Sequence, residues 1–140
     1  MIDFVYNTDF QIENQGVFSK WLVEVAAAEN CLIHNLVFLF VIDQELLAMN
    51  KKFIIHKYFS DVITFGELEG DKISGNIAIS VDRVLDNSKT YGVGFDEELK
   101  RVMVHGLLHI VGYNDKTKKE KLTMSQKETD ALKMFHVKQV

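Results

Sequence analysis

His105 and His109 stand four residues apart, and Asp115 follows six residues later. Successive helical residues rotate by about 100°, so two imidazoles at that spacing leave one turn of helix on the same side. A carboxylate arriving just beyond the helix end can close a three-ligand metal site. Three protein ligands leave a coordination position free, which is the pattern of a catalytic rather than a structural ion. The HExxH helices of metalloproteases use the same histidine spacing, with a Glu after the first His as general base. Here that position is Gly106, which argues against a zincin mechanism but not against a metal. A glycine there is expected to leave the helix side open next to the ion. Two histidines and one carboxylate also suit ferrous iron, and spacing alone does not separate zinc from iron, nickel or manganese. The bland reading, two ordinary histidines on an amphipathic helix, stays open at this point.

The element that must carry the pair starts acidic, with Asp96, Glu97 and Glu98 suiting the positive end of a helix dipole. Leu99, Val102, Met103, Gly106, Leu107 and Ile110 mark its inner face. Gly112 is the natural terminator, since glycine tolerates the left-handed conformation after a helix. The chain therefore turns at Gly112-Tyr113-Asn114, and Asp115 swings back toward the imidazoles. Thr117 and Glu120 form a capping box for a last helix with Met124, Ala131, Leu132 and Phe135 as its apolar stripe.

Upstream, Ile2, Phe4 and Tyr6 alternate as in a strand. Phe18, Trp21, Leu22, Val25 and Ala28 recur at helical spacing, with Asn30 as the stop. Leu36–Ile42 is a continuous apolar run, expected to be a strand covered on both faces. Asp43 reads as the N-cap of a helix whose apolar side is Leu46, Leu47, Met49, Phe53 and Ile54. Asp61–Phe65 reads as a strand, Gly66–Asp71 as a turn, and Ile73–Ser80 as a strand in which Gly75 marks a bulge or a close backbone approach. Ser80 or Asp82 starts a short helix. The order β, α, β, α, β, β, α, α, α predicts an α/β (α+β) fold: a small mixed sheet of about four strands packed with helices, the metal site lying on a central helix and the turn after it.

The 140 residues fit one compact domain, 1–140, and 47% apolar residues suffice for a core. The N-terminus lacks the basic and apolar regions of a signal peptide, and no apolar run approaches the 20 or so residues a bilayer needs, so the expected location is cytoplasmic, with no membrane partner. Cys31, the only cysteine, excludes an internal disulfide and a thiolate zinc cluster. The net charge of −4 gives no encouragement for nucleic acid by itself, but residues 116–140 carry seven lysines against three acids. The densest basic run, Lys116, Lys118, Lys119 and Lys121, begins directly after Asp115, where it could attract a phosphate. A solvated helix start explains the same run. His34, His56 and His136 read as structural or surface residues, His56 being the first to reconsider.

The segment from His105 to Asp115 resembles the signature of the YbeY family of bacterial rRNA maturation factors, H-G-x-L-H-x-x-G-Y-D-H. The likeness continues through Glu120, Met124, Glu128 and Leu132. Upstream, Asp61–Phe65 is similar to the family's T-D-V-L-S-F segment, and Ser74–Ser80 to its L-G-D-I-x-I-S strand. Asn50 matches an Asn before the first of these. The resemblance implies a small α/β domain holding one divalent ion, Zn2+ first, and acting as a single-strand-specific endoribonuclease. It implies work in rRNA maturation at the 16S 3′ end and in ribosome quality control, with ribosomal RNA and the small ribosomal subunit as partners. Carried over by position, the metal ligands are His105, His109 and Asp115, and Lys116, Lys118 and Lys119 would hold the RNA backbone. No catalytic residue beyond the ligands follows; Asp61 and Glu128 are candidates for a general base only because they fall in matched segments. The chain departs from the family pattern at two points. Asp115 stands where the family has a third histidine, and no Arg lies between Asn50 and Asp61, Ile54 occupying its place. Two other functions compete: a ribosome-assembly accessory protein with a structural metal, and a metal-dependent hydrolase of another class, such as a peptidase.

Overall fold

In the computed structural model the described residues are 1–53 and 62–138, the side chains of 50–53 and 136–138 excepted. Asp61, Ile54, His56 and Lys57, and the side chains of Asn50, Lys51, Lys52 and His136, therefore lie outside the described residues. The elements run β1 (Ile2–Tyr6), α1 (Gln15–Ala28), β2 (Leu32–Val41), α2 (Asp43–Phe53), β3 (Val62–Glu69), β4 (Lys72–Ser80), α3 (Val81–Tyr91), α4 (Phe95–Val111) and α5 (Lys118–Lys138). This is the order that the patterning anticipates.

The sheet order is β1-β2-β4-β3. The first three strands are parallel, and β3 returns antiparallel beside β4. Helices α1, α4 and α5 cover one face, where Leu36, Phe38 and Phe40 of β2 and Ile73, Ile77 and Ile79 of β4 are fully buried. The other face carries a smaller cluster, in which Leu46 of α2 packs on Val41, Ile63 and Ala78. Beside it opens a cavity of about 470 Å³ lined by Val5, Val37, Leu39, Met49 and Phe65 among others. Among the described residues the β2 run is thus sealed on one face and half-covered on the other, where α2 is the helix that overlies it.

Three local expectations need correction. Gly66 is not a turn residue: β3 continues to Glu69, and Gly66 pairs with Gly75 across the β3/β4 ladder. A Cβ on Gly75 would meet the Phe65 carbonyl oxygen at 2.4 Å and Ile110 Cδ1 at 2.9 Å, so the glycine pair is a flat spot on which Ile110 of α4 rests. Asp43 does not cap its own helix; its carboxylate takes hydrogen bonds from Ser80 and Arg83, tying α2 to α3. In α1 it is Ala26, not Ala28, that reaches the core. Asn30, with φ 61°, does end that segment. Ser80 caps α3 by accepting from Arg83 N–H, and the Thr117–Glu120 capping box forms in both directions. No helix among the described residues is long and apolar enough to cross a membrane.

Gly106 holds the inner-face position that the patterning gives it, and the expectation of an open side next to the ion is what needs correction. The residue does not face the ion side of α4 but lies buried against the sheet. A Cβ there would meet Ile77 Cγ2 at 2.8 Å and Thr64 Oγ1 at 3.1 Å. Gly106→Ala would gain about 1 kcal/mol of helix propensity. It would also overpack a site against a fully buried, β-branched Ile77, at a cost of about 1–3 kcal/mol. The steric term wins: the variant is expected to have a lower melting temperature than the parent. A rise in thermal denaturation would show that α4 does not sit this close to the sheet.

Candidate metal centre

With Gly106 and Ile110 against the sheet, the half-exposed residues of α4 between Glu97 and Ile110 are Glu97, Arg101, His105 and His109, one every four positions. The two histidines lie at the C-terminal end of this stripe. Gly112 ends the helix at φ 126°, with its N–H and that of Tyr113 returned to the carbonyls of Leu108 and His109. The reversal brings Asp115 back over the helix end. His105 Nε2 lies 3.0 Å from His109 Nε2, and Asp115 Oδ2 lies 3.2 Å from the first and 3.4 Å from the second. The structure thus brings His105, His109 and Asp115 together.

The protons decide what this triangle can hold. His109 Nδ1 is 2.9 Å from the Tyr113 carbonyl oxygen, which only accepts, so Nδ1 carries the hydrogen. His105 Nδ1 is 2.6 Å from Glu128 Oε2, and the carboxylate imposes the same tautomer. In the neutral imidazoles both Nε2 atoms therefore point lone pairs at each other and at a carboxylate oxygen. Three converging electron-pair donors repel unless a cation lies among them. Donors at about 2.0–2.1 Å around a tetrahedral ion stand about 3.3 Å apart, which is the size of this triangle. The residues fit a divalent cation. Their half-exposure leaves a side of the site accessible, as a fourth, exchangeable ligand requires.

Behind the donors stands a second layer that sequence reasoning largely missed. Glu128, 5% exposed, receives Arg101 Nη1 at 3.2 Å on its other oxygen. Arg101 is held in turn by Glu98, which is 1% exposed, through both Nε and Nη2. The hydrogen bond to Glu98 raises the Arg101 pKa above its ordinary value despite burial, so the guanidinium stays charged between two carboxylates. Glu128 is therefore an orienting partner of His105 rather than a free general base. The available signal was a glutamate inside the apolar stripe of α5, between Met124 and Ala131. The loop is pinned as well. Tyr113 donates its hydroxyl to Glu29 at 2.6 Å, which raises the phenol's pKa, and Lys127 donates to the same carboxylate at 3.0 Å. Lys116, Lys118 and Lys119, which follow Asp115 in the chain, are exposed and form no ion pair among the described residues. His34 is exposed on β2 and is not one of the converging donors.

An outer partner of a metal-bound histidine is worth about 10- to 100-fold in metal affinity. Glu128→Gln keeps the volume but removes the charge that fixes the tautomer. Chelator competition is expected to show weaker metal retention by that factor with an unchanged far-UV circular dichroism spectrum. Unchanged affinity would detach Glu128 from the site.

The family model described as Endoribonuclease YbeY matches residues 4–136. Endoribonuclease YbeY of Flavobacterium psychrophilum is 42% identical over 99% of this chain and 99% of its own. That of Flavobacterium johnsoniae is 40% identical over 99% of this chain and all of its own. That of Karelsulcia muelleri is 43% identical over 91% of each. The solution structure of TM1509 from Thermotoga maritima shares the fold, with a TM-score of 0.68 and 24% identity over 96% of this chain and 89% of that one. The likeness read from the histidine helix thus extends over nearly every residue, and the chain belongs to the YbeY family.

Proposed function

We propose that this protein is a metal-dependent, single-strand-specific endoribonuclease that matures ribosomal RNA at the 16S 3′ end and takes part in ribosome quality control in the cytoplasm. Zinc is the proposed ion, and the small ribosomal subunit the proposed partner. The observation that carries the reading is the half-exposed triangle of His105 Nε2, His109 Nε2 and Asp115 Oδ2. The name shared by the relatives supplies the substrate class. Two neutral imidazoles and a carboxylate are donors that zinc accepts.

When bound, such an ion polarises a phosphoryl oxygen and lowers the pKa of its water toward neutrality. The chain's own residues do the rest. His105 and His109 present fixed lone pairs because Glu128 and Tyr113 hold their other nitrogens. Asp115 brings one negative charge where the family carries a neutral histidine, and so lowers the net charge of the loaded site. Both arginines of the chain are occupied: Arg83 by Asp43 and Asp86, Arg101 by Glu98 and Glu128. Holding the RNA backbone therefore falls to the exposed Lys116, Lys118 and Lys119 as point charges. The peptidase alternative is weakened by Gly106, since a glutamate there would have to enter the packed contact with Ile77. A purely structural metal is weakened by the half-exposure of its three donors.

Purified protein incubated with single-stranded RNA is expected to cut it. Cleavage should stop on EDTA treatment and return with zinc, and the double variant His105→Ala/Asp115→Ala should neither cut nor retain the ion. RNA cleavage by that double variant would refute the assignment. Replacing Lys116, Lys118 and Lys119 by Gln should weaken RNA binding and flatten its salt dependence, by about 0.7 in the log–log slope for each phosphate that no longer meets a lysine. An unchanged slope would place the backbone elsewhere.

A further inference from the structure

The accessible stripe of α4 does not end at the metal triad. One helical turn before His105, about 5.4 Å along the axis, stands Arg101, and one turn before that Glu97. Here α3, α4 and α5 enclose a second cavity of about 270 Å³, lined by Tyr91, Val93, Glu97, Glu98, Arg101 and Leu132. Its rim is apolar and unusually open. Tyr91 is 62% exposed and Val93 43%, although both are large enough to favour burial. The Arg101 guanidinium lies 5.9 Å from the centre of the Tyr91 ring, and Arg101 cannot swing away because Glu98 and Glu128 grip it from two sides. The phenol thus stands beside a fixed cation, with most of its surface in solvent.

We infer that this cavity is a nucleobase subsite, in which a base of the single strand stacks on Tyr91 while a neighbouring phosphate of the same strand lies at the triad. The inference rests on the endoribonuclease reading and names the part of the substrate that this end of the groove takes. Three features favour a base over other occupants. The cavity falls at the small end of ligand pockets, which suits one planar ring system. Two glutamates against one arginine leave the lining negative, which repels a phosphate but accepts the ring amines of a base. Arg101, which lines the cavity, stands on the same accessible stripe of α4 as His105 and one helical turn before it, so a strand laid along that stripe meets both places. Aromatic platforms of this kind bind bases with little regard to sequence, because every base has a π-face.

The test uses the metal-loaded protein and a short single-stranded RNA carrying 2-aminopurine at successive positions. Stopped-flow fluorescence then reads stacking before cleavage. With the parent protein one or two label positions are expected to be quenched. Tyr91→Phe should keep the quench. Tyr91→Ala should abolish it and weaken RNA binding roughly 10- to 100-fold. Metal content should remain unchanged, as a surface side chain outside the ligand set requires. Val93→Asp, which adds charge to the rim without altering the core, should weaken binding in the same direction. A quench that survives Tyr91→Ala, or equal affinities for Ala and parent at every label position, overturns the subsite. Quenching that depends on Tyr91 in a protein that never cuts RNA would instead sink the nuclease reading and leave the subsite standing. Cleavage with no dependence on Tyr91 would do the reverse.

Discussion

The backbone of helix α4 rests at Gly106 directly on two side chains of the sheet, and the site depends on that seating. At 106 there is no side chain, so the helix settles onto Ile77 and Thr64, and one turn later Ile110 drops onto the flat made by Gly66 and Gly75. These contacts fix the rotation of the helix about its own axis. A side chain at 106 would roll or lift it, and His105 and His109, adjacent to these two contact residues, would carry their nitrogens away from Asp115. Chemistry at an atomic scale is thus set by three positions where the sequence supplies nothing beyond hydrogen.

The polar half of the site follows from that rotation. Arg101, His105 and His109 emerge on the side where α5 and the returning loop can meet them. Each imidazole then has an acceptor on its inner nitrogen and a bare outer nitrogen. The acceptors differ in kind. A carboxylate backed by Arg101 serves His105, while a backbone carbonyl set by the glycine stop serves His109. The first supplies charge that supports a cation; the second supplies geometry. Buried charge on this scale is tolerable only because the groups alternate in sign from Glu98 through Arg101 to Glu128 and each is hydrogen-bonded.

Much of this was legible in the residues. The element order, the glycine stop at 112, the capping box at Thr117 and Glu120, and the convergence of His105, His109 and Asp115 all follow from local rules about periodicity, caps and spacing. What was not legible depends on partners distant in the chain. Gly66 reads as a turn because glycine in isolation is a breaker; only Gly75 across the ladder and Ile110 above it make it a strand residue. Gly106 reads both as an inner-face residue and as open space beside an ion, and only Ile77 and Thr64, far away in the chain, decide for the first. Asp43 reads as a cap because its partners, Ser80 and Arg83, lie some forty residues away. Glu128 could be singled out from its family position, but its task needed His105 and Arg101 in view. Local signals thus set the elements, while the roles of polar and glycine residues were decided by tertiary pairing.

Trp21 Nε1 donates to the Ala131 carbonyl oxygen at 2.8 Å, and the Trp21 and Phe135 rings meet edge to face. This bond joins α1 to α5 across 110 residues, and α5 is the helix that carries Glu128. On a ribosome, α5 emerges after every other described element. Until it docks on Trp21, the imidazole at 105 lacks the carboxylate that sets its proton, although all three corners of the donor triangle precede α5 in the chain. Synthesis order therefore gives the chain its three converging donors first and the carboxylate that orients one of them with the last described helix, so that on a half-made chain, still tethered to the RNA-rich machine that builds it, the imidazole at 105 can carry its proton on either nitrogen.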